Sequence, residues 1–477
     1  MKKYSLIWKA GCAAVIGAIC ASAPPIQRTN AQYSYPSHSP SPLTPSIVLP
    51  TPTTTGPCDR ITGTMCTHTS SQPSDQISTI DTKQTEEICN YTKTCTTPPP
   101  PVTLAFIQEA IQKSQQVTES KTALVYFNIF ADRLEILVIP ANGQEIRKTV
   151  NNIGKNKSDV TVKEQIDGSV VELLNAIRDP SSEDYLPAAQ SLYDWLIRPI
   201  ESDLESAEIK TLVFVMDGSL RSIPISVLHD GKKFLVQKYA VATVPSMSLV
   251  NLQLRDRRRN SILAMGLTEK MQGFSEIPNV GIEVNTIASQ ILEGKSFLNQ
   301  SFTLENLIKQ QQQKNYGIVH LATHAQFLSS TADGAFIQMW NERLSLDRLR
   351  TIEFGQEPIE MLVLSACQTA VGQNLGLSGV AIIYKAKSVL ASLWKVDDAG
   401  TTPLMLSFYH NYPTAKSKAI AIQQAQISLI EGTVKIENQK VVGIANLPPI
   451  PLQQVAGEID LKHPYFWSSF ILVGNWL

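Results

Sequence analysis

The chain has 477 residues, with 41 Lys and Arg against 42 Asp and Glu for a formal net charge of -1, and 43% of its residues are apolar. So even a balance excludes a nucleic-acid binder held by counterion release and a polybasic membrane coat, since both need clustered positive charge. The apolar share supports a globular core, and the length predicts two or three domains of ~100–200 residues each if all of it folds.

Lys2 and Lys3 precede an apolar run from Ala10 to Ala23, followed by small residues, which is the layout of a secretory signal peptide. The run is shorter than the ~20 residues a spanning helix needs, so no stable membrane anchor is expected after cleavage. A lipid anchor through Cys20 is disfavoured by Ile19, which stands where a small residue is wanted. Cleavage after Thr29-Asn30-Ala31 gives a signal over 1–31 and an exported product, periplasmic or extracellular.

Pro, Ser and Thr dominate from Gln32 to Pro101, ending in Pro98-Pro99-Pro100-Pro101. Too few large apolar side chains are present to offset the entropy of ordering, so 32–101 reads as a disordered linker. Four of the seven cysteines lie there: Cys58, Cys66, Cys89 and Cys95. In an oxidising compartment an even cluster forms two disulfides, in one of three pairings that the sequence leaves open. Their spacings lack the short C-x-x-C knuckles of a zinc site, and neither a metal nor another cofactor is expected. Cys12 and Cys20 leave with the signal, so Cys367 is the remaining thiol.

Beyond Pro101 apolar strands alternate with amphipathic helices. A helix is predicted over Val102 to Gln116, strands over Ala123–Phe127 and Leu134–Ile139, a helix over Ala188 to Ile200 and a strand over Leu212–Met216. After a break at Leu254 to Asn260 a second series follows: strand Ile262–Gly266, helix Gly281 to Leu292, and strands Gly317–Thr323, Met361–Ala366 and Ser388–Leu393. Two helices between Thr402 and Ile430 and a strand Phe470–Val473 complete it. Continuous apolar strands between helices indicate an α/β fold with a parallel sheet covered on both faces, in two halves over 102–259 and 260–477. Trp394, Trp467 and Trp476 read as packing residues. No period of 20–50 residues repeats, which excludes a helical solenoid.

Two of these strands end in residues that carry chemistry. Gly317-Ile318-Val319-His320-Leu321-Ala322-Thr323-His324 ends in His324, and Glu360-Met361-Leu362-Val363-Leu364-Ser365-Ala366-Cys367 ends in Cys367. Functional groups collect at the carboxyl ends of strands in open α/β sheets, and parallel neighbours stand about 4.8 Å apart. Such ends bring an imidazole within reach of a thiol, although a buried free cysteine beside an unrelated histidine fits the pattern equally well. His320, mid-strand between Val319 and Leu321, reads as a hydrogen-bonded core histidine.

His320-Leu321-Ala322-Thr323-His324, Leu364-Ser365-Ala366-Cys367-Gln368-Thr369-Ala370, Ala391-Ser392-Leu393-Trp394-Lys395-Val396-Asp397-Asp398 and His463-Pro464-Tyr465-Phe466-Trp467-Ser468-Ser469-Phe470, in that order, resemble the CHAT domain, a caspase-like peptidase domain related to separase. Gly218–Ile225 and Tyr239–Ser246 match the same family, so the resemblance runs from about Lys121 to Leu477. The caspase signature sets its histidine about 50 residues before its cysteine, close to the separation here. The resemblance implies a caspase-like sheet whose first half is a pseudo-peptidase and whose second half is active. It puts His324 and Cys367 on the catalytic dyad, and the backbone N–H groups of Ala325 and Cys367 on the oxyanion. Asp398, with its neighbour Asp397, aligns with an acidic residue that meets a basic substrate side chain in separases. Helix capping by either aspartate is the competing reading.

The implied activity is hydrolysis of protein or peptide substrates after Arg or Lys, with no nucleic-acid partner and no known regulatory protein. A non-catalytic interaction or scaffold module of the same fold is the alternative. Two departures from the family pattern stand out: Ala325 replaces a glycine after the histidine, which would be costly if the position needs φ > 0, and Lys385 replaces another before Ala386. Arg255-Asp256-Arg257-Arg258-Arg259 between the halves reads as a solvated link, and as a self-processing site if the pocket takes basic residues.

Overall fold

In the computed structural model the first strand, β1 (Thr122–Ile129), is buried along most of its length because its apolar run lies between neighbours on both sides. β2 (Leu134–Pro140) pairs with it antiparallel and β3 (Ile146–Val150) pairs with β2. β4 (Thr211–Val215) joins the other side of β1 in parallel, and β5 (Ala240–Val244) joins β4. The second series holds β6 (Ile262–Gly266), β7 (Gly294–Leu298), β8 (Ile318–Gln326), β9 (Phe336–Gln338), β10 (Arg343–Ser345), β11 (Met361–Cys367) and β12 (Ser388–Ser392). β13 (Lys435–Glu437), β14 (Lys440–Val442) and β15 (Ile450–Pro451) make a separate small sheet, and β16 (Phe470–Gly474) returns to the main one. The residues described are 73–92, 99–151, 153, 160–252, 261–271, 273–326, 336–352, 358–367, 386–394, 397–455 and 457–477. The proposed signal, Cys58, Cys66, Cys95, Lys385 and the arginine-rich link lie outside them.

Both series share one 13-stranded sheet, ordered β10-β9-β8-β11-β12-β16-β5-β4-β1-β2-β3, with β6 and β7 branching from β8. β16 runs parallel to β5 and antiparallel to β12, so it is the seam. Since β6, β7, β8, β11 and β12 are mutually parallel, as are β1, β4, β5 and β16, the two halves point in opposite directions. Their carboxyl ends therefore lie at opposite edges of the sheet. The expected two-part, parallel-rich α/β fold is present, as two opposed halves of a single sheet.

The helices are α1 (Pro73–Thr92), α2 (Leu104–Thr118), α3 (Val162–Ile177), α4 (Tyr185–Leu196), α5 (Arg198–Ser206), α6 (Asn279–Thr286), α7 (Leu304–Gln313), α8 (Leu346–Arg350), α9 (Asp398–Asn411), α10 (Lys418–Ile430) and α11 (Pro464–Trp467). The single helix expected over Ala188 to Ile200 is two, because Pro199 in the first turn of α5 starts a new helix after Ile197. The helix expected to reach Leu292 ends as α6 and continues as one π turn, Ile287–Ile291. Trp394, Trp467 and Trp476 are buried, as their apolar rings require.

One expectation is corrected outright: part of the linker folds. α1 lies within 32–101, buries Ile77 and Ile88, and is also fastened by polar contacts. Asp81, fully buried, accepts from Met247 N at 2.6 Å, Ser248 N at 3.1 Å, Tyr126 Oη at 3.3 Å and the Ser248 hydroxyl. Arg221 Nη1 pairs with Glu87 at 2.9 Å. Composition missed this helix because its docking face reads as linker chemistry. Near the start of β11, buried Glu360 pairs with Lys418 at 2.8 Å and Lys387 at 2.9 Å. Burial would raise its pKa, and the two lysines outweigh that and hold it below the ordinary value.

Candidate active site

β8 and β11 are parallel neighbours in a register that runs from Met361 opposite Ile318 to Cys367 opposite His324. The register follows from matched runs of buried residues, Ile318 to Ala322 and Met361 to Leu364, each filling the space between helix layers. The two residues singled out from sequence thus sit across from each other at the carboxyl ends of adjacent strands. The Cys367 side chain and residues 368–385 lie outside the described part of the molecule.

His324 is buried, and its Nε2 lies 2.8 Å from the backbone oxygen of Ser275. A carbonyl only accepts, so Nε2 carries the proton in this bond and Nδ1 is the basic nitrogen of the neutral ring. The Phe274 ring stacks on the imidazole, with centroids 4.6 Å apart and planes 15° from parallel. Phe336 lies 6.3 Å from Phe274, and the Arg343 guanidinium stands over both rings, at 4.7 and 5.6 Å from their centroids. Sequence reasoning missed Phe274 and Ser275: a backbone carbonyl leaves no residue-type signature, and Gly273-Phe274-Ser275-Glu276 reads as an ordinary turn.

His320, four residues earlier on β8, is fully buried. Its Nδ1 is 3.0 Å from Tyr409 Oη and its Nε2 is 3.0 Å from Glu283 Oε1, a fastened core histidine. Ala325 is buried in the extended end of β8 opposite Ile337 and is not among the residues with positive φ. The methyl that replaces the family's glycine hydrogen therefore brings no backbone strain here.

The two aspartates have different surroundings. Asp397 caps α9, its carboxylate accepting from Gly400 N at 2.8 Å. Glycine is required there, because a Cβ at Gly400 would come within 2.5 Å of the Phe466 ring. Asp398 is half-buried, and its Oδ2 accepts from the backbone N and the Nδ2 of Asn279 at 2.9 and 3.0 Å. Burial pushes the Asp398 carboxyl up to about 7, with Glu283 and Asp397 adding to the rise and the Asn279 bonds opposing it. Among the described residues no group of three or more His, Cys, Asp or Glu is placed to hold a metal ion, and no helix is long and apolar enough to cross a membrane.

A family model of the CHAT domain matches residues 186–475, more than half of the chain. The chain belongs to the CHAT domain family. The match begins later than the resemblance read from sequence, so β1 to β3 precede the matched part of this CHAT protein while sharing its sheet. No curated protein matches it. Solved structures similar to it include two of the Saccharomyces cerevisiae separase-securin complex. The first is 10% identical and covers 79% of this chain at a TM-score of 0.45. The second is 11% identical and covers 78% at a TM-score of 0.40. The CHAT chain spans 31% of the length of the matched chain in each.

Proposed function

We propose that this CHAT protein is an exported cysteine endopeptidase in which His324 and Cys367 form the catalytic dyad. The observation that carries the reading is the pairing of Cys367 with His324 at the ends of β11 and β8, together with the 2.8 Å contact of His324 Nε2 with Ser275 O. With Nε2 holding its proton on that carbonyl, Nδ1 is the nitrogen that takes the thiol proton. The Cys367 sulfur then attacks the scissile carbonyl carbon. The imidazolium returns the proton to the leaving amine as the C–N bond breaks, and water hydrolyses the thioester and restores the thiol. Backbone N–H groups of Cys367 and Ala325 stabilise the oxyanion, where loss of one donor typically costs ~10²–10³ in rate.

Preference for Arg or Lys before the scissile bond draws on Asp398. Its Oδ2 is engaged by Asn279, so Oδ1 is the oxygen that a guanidinium or ammonium would meet. Export rests on the lysine-led apolar run at the amino end.

Cleavage of a peptide library by the wild type, Cys367→Ala and His324→Ala tests activity and preference together. The reading expects cleavage after Arg or Lys by the wild type and none by either variant. No cleavage by the wild type, or cleavage that survives Cys367→Ala, overturns it.

A further inference from the structure

The loop between β6 and α6 presents Phe274 and Ser275 to His324, and its far end is fastened by one side chain. Asn279, 1% exposed, gives Asp398 Oδ2 two bonds, one from its backbone N–H and one from Nδ2. Its amide also exchanges two bonds with the backbone of Gln453: Nδ2 donates to Gln453 O at 2.9 Å, and Oδ1 accepts from Gln453 N at 2.7 Å. A side chain thereby takes the place that a strand would have in a ladder. The next residue, Gln454, reaches back to the loop, its Nε2 donating to Glu276 Oε1 at 2.7 Å. Gln454 has φ of 50°, a left-handed conformation that a residue with a Cβ keeps only where its surroundings over-determine it.

These contacts form a brace. Ser275 meets His324, Glu276 meets Gln454, Ile277 N donates to Thr268 O at 3.1 Å, and Asn279 meets both Asp398 and Gln453. We infer that Asn279 is a positioning residue, which locks the 452–454 segment and the Asp398 carboxylate to the loop that orients His324. Removing its amide leaves Asp398 with the backbone donor alone and strips Gln453 of both bonds. The loop then keeps the Glu276 contact with Gln454, the Ile277 bond to Thr268 and the backbone bond from residue 279 to Asp398. For its catalytic consequence the inference rests on the peptidase reading; its structural consequence does not.

The test is the exchange of imidazole N–H protons with water, followed by NMR in the full chain labelled with ¹⁵N-histidine. His463 is the internal control, since its Nε2 is held 2.9 Å from Ser182 O and its ring nitrogens bond no residue of the brace. In Asn279→Ala the His324 Nε2 proton should exchange about tenfold faster while that of His463 is unchanged, because only the local opening has become easier. The same variant should lower kcat and raise KM for an Arg peptide. If Asn279→Ala does not fold, Gln454→Ala, which breaks only the tie to Glu276, should show the same asymmetry at smaller size. Equal acceleration at both histidines, or none at either, overturns the inference. An inactive wild type that keeps the asymmetry sinks the peptidase reading and leaves the positioning role standing.

Discussion

Replacing Asp398 by Asn removes a titrating group and leaves a side-chain oxygen to accept from Asn279. In the folded protein this carboxyl is pushed up to about 7, first by burial and then by Glu283 and Asp397. An ordinary aspartate titrates near 3.9, so the difference is worth about 4 kcal/mol at 1.36 kcal/mol for each tenfold. Because the folded pKa is the higher one, this group's contribution to stability is fully present below about pH 4. Between about 4 and 7 the unfolded chain releases its proton while the folded chain retains it, and the contribution is lost. Above about 7 both states are ionised and the folded state carries the whole penalty. Urea unfolding of wild type and Asp398→Asn at pH 4.5, 6 and 8, followed by tryptophan fluorescence, measures this. The Asn variant should gain on the wild type as pH rises, by about 3 kcal/mol between pH 4.5 and 8. A stability difference that stays constant from pH 4.5 to 8 would refute the argument.

Asp81→Ala should undock α1 selectively. It strands the buried N–H of Met247 and the half-buried N–H of Ser248, a loss of about 2–4 kcal/mol that appears as lost hydrogen-exchange protection in 77–90 while β8 and β11 stay protected; unchanged protection in α1 contradicts its description as a polar strap. His320→Ala should lower stability by about 3–5 kcal/mol in denaturant unfolding, because Glu283 and Tyr409 lose their buried partner. A loss within 1 kcal/mol would place His320 outside any fastened network.

What the sequence made legible was whatever rests on continuous apolar runs. β1, β4, β6, β8, β11, β12 and β16 were each signalled by such a run, and the alignment of His324 with Cys367 follows from two of them ending at matched lengths. The seam at β16 was not legible. Its parallel pairing with β5 joins segments more than two hundred residues apart and reverses one half against the other, which no local pattern encodes. β3, with partly exposed residues, and the short strands β9 and β10 carry too little periodicity to stand out. α1 was hidden by composition, because its anchor is a buried carboxylate among Ser, Thr and Gln. At the site, residue types at strand ends pointed to His324 and Cys367, and the family resemblance pointed to Asp398. The partners that orient the first and last of these, the Ser275 carbonyl and the Asn279 amide, were invisible because one is backbone and the other a common turn residue.

The central claim, that one imidazole activates one thiol, is tested most directly by the rate at which iodoacetamide alkylates Cys367 as a function of pH in wild type and His324→Ala. Wild type should react well below the ordinary thiol range, near pH 6–7, and His324→Ala should react ~10²-fold or more slowly there, converging with wild type only near pH 9. Superimposable profiles centred near 8.5 would contradict the dyad.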